Sequence, residues 1–149
     1  EQRLRSSYRQ DEKLQLQDVL KSTWKERAEK YLDQNGINVL ITHLFFIPSS
    51  GEVQEESEDE KSILSVGGAE RITVDCIPEG LHYVALGHLH KFQILSKTPC
   101  PVVYSGSPLA YSLSEVDQDK YFVIADLKPG MISEPERIKI ESGRRVYRK

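Results

Sequence analysis

The sequence predicts an α/β fold on a mixed sheet, from three observations. An amphipathic helical pattern over residues 11–35 passes directly into an apolar strand pattern over 37–42. A second apolar strand pattern, residues 82–86, runs into Gly87-His88-Leu89-His90, just as the first runs into His43. Two short strand patterns, 92–95 and 102–104, flank Ser96-Lys97-Thr98-Pro99-Cys100-Pro101 and read as a hairpin.

In the helical segment Leu16, Leu20, Trp24, Ala28 and Tyr31/Leu32 recur at helical spacing, with Lys21, Lys25, Glu26, Glu29 and Lys30 elsewhere on the wheel. Such a stripe covers a sheet. Asn35-Gly36 reads as a left-handed stop. The near-continuous apolar character of 37–42 predicts a strand buried on both faces. Residues 48–61 turn polar and hold Glu52, Glu55, Glu56, Glu58, Asp59 and Glu60, a solvated loop that repels phosphate rather than binding it. Gly67-Gly68 lacks the Lys-Ser/Thr of a P-loop and reads as a tight turn. Residues 71–76 alternate briefly before the turn Pro78-Glu79-Gly80. Tyr104 runs into Ser105-Gly106-Ser107-Pro108, so a strand ends in small polar residues. Strand patterns over 121–127 and 137–140 are joined through the turn Lys128-Pro129-Gly130. Residues 1–141 read as one domain portion and the basic tail 142–149 as a linker.

The 149 residues suffice for a single core, and 38% hydrophobic with 29% charged residues is an ordinary globular composition. No run approaches a membrane span and no signal peptide opens the chain. Cys76 and Cys100 are too few for a disulfide framework and fit reduced thiols in a cytoplasmic protein. A net charge of −3 does not advertise nucleic-acid binding, so polyanion chemistry would need local positive charge or bound metal.

Two strands that each finish in histidine place imidazoles on one rim, outside the carboxyl ends of the strands, where open α/β sheets build sites. Imidazole suits manganese, iron and zinc. On a regular strand His88 and His90 would face one side. Gly87 tolerates positive φ and close backbone approach, so in a turn the two rings splay toward two points. Metal ligands and hydrogen-bonded core histidines both fit a lone His-x-His. His43 at the end of the other strand brings the metal reading level with the core one, and His82, at the start of its strand, reads as structural.

Thr42-His43-Leu44-Phe45, Ser65-Val66-Gly67-Gly68-Ala69-Glu70, Tyr83-Val84-Ala85-Leu86-Gly87-His88-Leu89-His90 and Tyr104-Ser105-Gly106-Ser107-Pro108-Leu109 occur in that order. Together they resemble the second half of the nuclease domain of SbcD-like double-strand-break repair exonucleases. The Gly-His-x-His element alone marks the wider calcineurin-like metallophosphoesterase superfamily. The resemblance implies part of a two-layered αββα sandwich, with its N-terminal half absent, and a dinuclear site, usually manganese. By motif, His43 and His88 would ligate one ion and His90 the other. It also implies a DNA substrate, the SMC-like ATPase SbcC as partner and a homodimer in the parent complex.

The family's earlier Asp-x-His, Gly-Asp and Gly-Asn-His motifs do not occur in this sequence. Three neutral imidazoles cannot balance two divalent cations, so the chain alone is expected to hold one ion weakly and to leave DNA uncut. A half core would leave strand edges and an apolar face uncovered, which predicts self-association. A general metallophosphodiesterase acting on small substrates, and a non-catalytic scaffold or interaction module, remain alternatives.

Overall fold

The computed structural model describes residues 16–51 and 71–141. The acidic run, the Gly67-Gly68 pair, residues 11–15 of the helical pattern and the basic tail lie outside the described residues. Helix α1 (Leu16–Tyr31) precedes β1 (Val39–His43), β2 (Phe46–Ile47), β3 (Ile72–Thr73), β4 (Tyr83–Gly87), β5 (Gln93–Ser96), β6 (Val102–Tyr104), β7 (Tyr121–Ile124) and β8 (Glu136–Lys139). The main sheet has the order β1-β4-β6-β5. Strands β1, β4 and β6 are parallel, and β5 returns antiparallel to β6 as the expected hairpin. β2 pairs with β3, and β7 with β8. The fold is therefore mixed α/β.

One face of the sheet makes the core. Val84, Leu86, Val102 and Tyr104 are buried against Leu20 of α1 and against Phe45, Phe46, Ile47, Ile72 and Cys76, with Leu40 and Trp24 at the margin. Trp24 stacks on Phe46 with ring centroids 5.9 Å apart. Each such fully buried apolar side chain contributes about 1.5–3 kcal/mol over an exposed one. The Gln17 amide donates to Thr73 Oγ1 (2.9 Å) and accepts from the Thr73 N–H (3.2 Å), tying the first turn of α1 to β3.

Three expectations are corrected. The helix ends at Tyr31, short of Asn35, and Gly36 is not left-handed. A side-chain turn ends it instead, because Asp33 Oδ1 accepts from the Asn35 N–H (2.9 Å) while Asn38 and Asp33 exchange two further hydrogen bonds. Short polar side chains compete with helical hydrogen bonding at this point. The second correction concerns β1. It lies at the edge of the sheet and is not buried on both faces, since Val39 is 41% and Ile41 79% exposed. The alternating face bearing these two has no cover among the described residues. Third, residues 71–76 form a two-residue strand followed by a 3₁₀ turn, Val74–Cys76, rather than one alternating strand.

At the start of β1 and β4 the Asn38 N–H donates to His82 Nδ1 (3.1 Å) and the His82 N–H to the Asn38 carbonyl (2.8 Å). His82 is thus a structural clamp at the end of the sheet away from His43. Among the described residues, no helix is long and apolar enough to cross a membrane.

Candidate metal centre

Parallel pairing sets the site. His43 and Gly87 are register partners at the carboxyl ends of β1 and β4, and Leu86 pairs with Tyr104 at the end of β6. The segments following these strands emerge at one rim. There His43, Gly87, His88, Leu89, His90, Gly106 and Ser107 line a cavity of about 370 Å³. All three imidazoles singled out from the sequence are in that lining. The rings of His43 and His88 meet edge to face with centroids 5.7 Å apart, and the Phe45 ring lies 5.7 Å from that of His88. A larger cavity of about 830 Å³ lies between α1 and residues 75–80 at the His82 end, and its lining mixes Lys21 and Lys25 with Asp33, Asp75 and Glu79. None of the rim histidines reaches it.

Gly87 does not have the positive φ expected of it; His88 does, at 122°. A β-carbon placed on Gly87 would stand 2.7 Å from His43 Nδ1. Glycine is required there because the His43 ring lies over its α-carbon, so the close approach holds and the left-handed turn does not. The strained residue is a candidate ligand itself, and such strain collects at functional sites because surrounding structure must hold it. Gly106 combines both demands, with φ of 80° and a β-carbon position only 2.8 Å from the His90 carbonyl oxygen. The Ser105-Gly106-Ser107 segment can lie against the histidine turn only without a side chain at its centre. The Ser107 N–H donates to that same carbonyl (3.0 Å).

Sequence reasoning missed the polar support beneath His90. Glu115, 1% exposed, sets Oε1 3.0 Å from His90 Nδ1. Its Oε2 accepts from the Lys120 ammonium at 2.5 Å, and Lys120 also donates to Ser107 Oγ (2.9 Å) and to the His90 carbonyl (3.1 Å). Burial pushes the Glu115 carboxyl up, but the hydrogen bonds and charges of Lys120 and His90 outweigh it and leave the group below the ordinary carboxylate range. Ser112-Leu113-Ser114-Glu115 matches the Ser-x-x-Glu spacing of a capped helix start. That was the available signal. Here the segment is a single 3₁₀ turn whose glutamate points inward. Tyr104 was the other omission: its hydroxyl accepts from the Phe46 N–H (2.7 Å) and donates to the Leu44 carbonyl (2.8 Å), pinning the chain that leaves His43.

The donor set fits a divalent transition metal in part. A carboxylate behind His90 Nδ1 is the usual support of a metal-bound histidine. Among the described residues no three His, Cys, Asp or Glu side chains converge tightly enough to hold an ion by themselves.

No family model matches the chain. It is similar to the SbcD component of the SbcCD nuclease of Bacillus subtilis, at 34% identity over 74% of this chain and 27% of that protein. The corresponding protein of Staphylococcus epidermidis is 31% identical over 82% of this chain and 30% of its own length. That of Rhodobacter capsulatus is 40% identical over 51% of this chain and 18% of its length. The chain belongs to the SbcD-like family. It matches under a third of the length of these SbcD relatives, and its mixed α/β fold brings the rim histidines into one cavity.

Proposed function

We propose that this chain is the histidine-bearing part of the nuclease domain of a DNA exo/endonuclease, within a two-layered metallophosphoesterase sandwich. The observation that carries this reading is the meeting of His43, His88 and His90 on one cavity at the carboxyl ends of parallel strands. Similarity to proteins named as components of a nuclease supports it. His43 and His88 would hold one divalent ion, Mn²⁺ in this reading, and His90 would hold a second. Carboxylates beyond these three imidazoles would complete the charge balance, since imidazoles alone cannot. Bound ions would supply an acidified water and polarise the scissile phosphate.

This chain's residues orient and support. Glu115 fixes the His90 ring, Gly87 leaves room for His43, and Gly106 lets the Ser105–Ser107 backbone close over the turn. The substrate is duplex DNA in the cytoplasm, and the working assembly is a homodimer with an SMC-like ATPase, SbcC. The experiment is Mn²⁺-dependent cutting of linear duplex by the whole polypeptide. His88→Ala or His90→Ala should lower it by orders of magnitude while thermal unfolding changes little. A His90→Ala protein that cuts at the wild-type rate would overturn the ligand assignment. A scaffold of the same fold without the reaction is the second reading, favoured by the lack of a converged three-ligand group among the described residues. An inactive whole polypeptide that still binds its partners would establish it.

A further inference from the structure

The cluster beneath the histidine turn has more structure than a buried ion pair needs. Glu115 and Lys120 are 1% and 9% exposed, and each oxygen of the carboxylate has a different partner. Oε2 takes the Lys120 ammonium and, at 3.4 Å, the Ser107 hydroxyl; Oε1 faces His90 Nδ1 and, at 3.4 Å, accepts from the Ser112 hydroxyl. An ionised carboxylate only accepts, so the proton between Oε1 and Nδ1 belongs to the imidazole. We propose that Glu115, held in register by Lys120, is a positioning residue that fixes His90 in its Nδ1–H tautomer and turns its Nε2 lone pair toward the cavity. This rests on the metal-site reading above.

Three further observations support it. Lys120 does more than neutralise the carboxylate: it also reaches Ser107 Oγ and the His90 carbonyl, so it ties the glutamate to the backbone of the residue whose ring the glutamate orients. The Tyr111 ring packs against the His90 ring with centroids 5.6 Å apart. In water neutral imidazole favours the proton on Nε2, the atom a metal would need, so the default tautomer is the wrong one and the carboxylate reverses it. For stability alone, an apolar pair of the same shape would serve as well as a buried ion pair.

Substitution by glutamine gives a signed test. In Glu115→Gln the Lys120 ammonium draws the amide oxygen, which leaves the amide NH₂ facing His90 Nδ1. Nδ1 then accepts, and the ring is forced into the Nε2–H form. Adding Lys120→Met frees the amide to turn over, so its oxygen again accepts from Nδ1–H. Long-range ¹H–¹⁵N NMR of the full chain reads the His90 tautomer without metal, and titration with Zn²⁺ or Mn²⁺ alone reads affinity. We expect Nδ1–H in wild type, Nε2–H in Glu115→Gln with roughly 10–100-fold weaker ion binding, and recovery of both in the Glu115→Gln/Lys120→Met double variant.

Should the single variant fail to fold, the charge-free doubles Glu115→Gln/Lys120→Met and Glu115→Leu/Lys120→Met differ only in whether an acceptor faces Nδ1. The first should keep Nδ1–H and the second should lose it. Nε2–H in wild type, or one tautomer in both doubles, would overturn the proposal. The expected tautomers with no ion bound by the wild-type whole polypeptide would leave the role of Glu115 standing and overturn the metal reading instead.

Discussion

Gly87 and Gly106 flank the histidine turn for different reasons, and the difference can be measured. At Gly87 the backbone is ordinary and only space is scarce, because the His43 ring occupies the place of a β-carbon. The obstacle is a movable side chain. Gly87→Val should therefore leave the chain folded but swing His43 out of the cavity. A loss of Zn²⁺ or Mn²⁺ affinity of about 10–100-fold is the expected outcome, comparable to removing a residue that orients a ligand. Titration calorimetry checks it, with thermal unfolding as the companion measurement. Gly80 is a poor control, since it has φ of 86° and a β-carbon there would stand 3.0 Å from Leu32 Cδ1. Gly51, left-handed as well but with no described residue within 4 Å of its β-carbon position, isolates the backbone effect. Wild-type affinity in the Gly87→Val protein would mean that His43 does not contribute.

Among the elements, β6 governs the rim. Its last residue, Tyr104, is fully buried and reaches across to the segment between β1 and β2. Tyr104→Phe keeps the ring and removes the hydroxyl, which leaves the buried Phe46 N–H and the Leu44 carbonyl short of a partner. An unsatisfied buried donor costs about 1–3 kcal/mol. Chemical denaturation should show a loss of that size. Because the segment carries the chain away from His43, ion binding should weaken as well, which a purely global loss of stability would not produce while the chain stays folded. The β5–β6 hairpin and the β7–β8 pair were visible as strand patterns flanking turn residues. The alternating faces of β1, by contrast, were not separable in the sequence: Ile37 to Ile41 reads as near-continuously apolar whether or not a second layer covers Ile41. Periodicity reports which side chains avoid water, not whether a partner layer is present.

At the scale of the whole molecule two outcomes are expected. The first concerns pH. Burial pushes the Cys76 thiol from about 9 up to about 12, and Tyr83 and Cys100 are raised by the same cause. A raised pKa means the folded chain holds its proton more tightly than the unfolded chain. The stability this gives is fully present below about pH 9 and is lost between about pH 9 and 12. Urea midpoints should hold up to about pH 9 and fall above it, and Cys76→Ala should flatten part of that fall. The second concerns association. Ile41 is 79% exposed at a sheet edge, and Phe122, Ile124 and Ile138 are exposed on β7 and β8. Open edges and apolar patches promote pairing between chains. Light scattering on this chain should show self-association, and a monodisperse monomer would count against an uncovered face.

Composition and pattern by themselves determined the α/β class, the hairpin, the turn at Lys128-Pro129-Gly130 and the three rim histidines. They did so because strand period, turn residues and strand-terminal imidazoles are local properties of the chain. The parallel registry of β1 and β4, which sets His43 beside Gly87, was decided in three dimensions. So was the positive φ, which falls on His88 and not on Gly87. Glu115 and Lys120 were invisible for the same reason. Each looks like any surface charge in the chain, and only burial together, 25 residues beyond His90 in the case of Glu115, turns them into the support of a single imidazole. A charge acquires such a role from its partners and from the exclusion of water, and both are properties of tertiary packing.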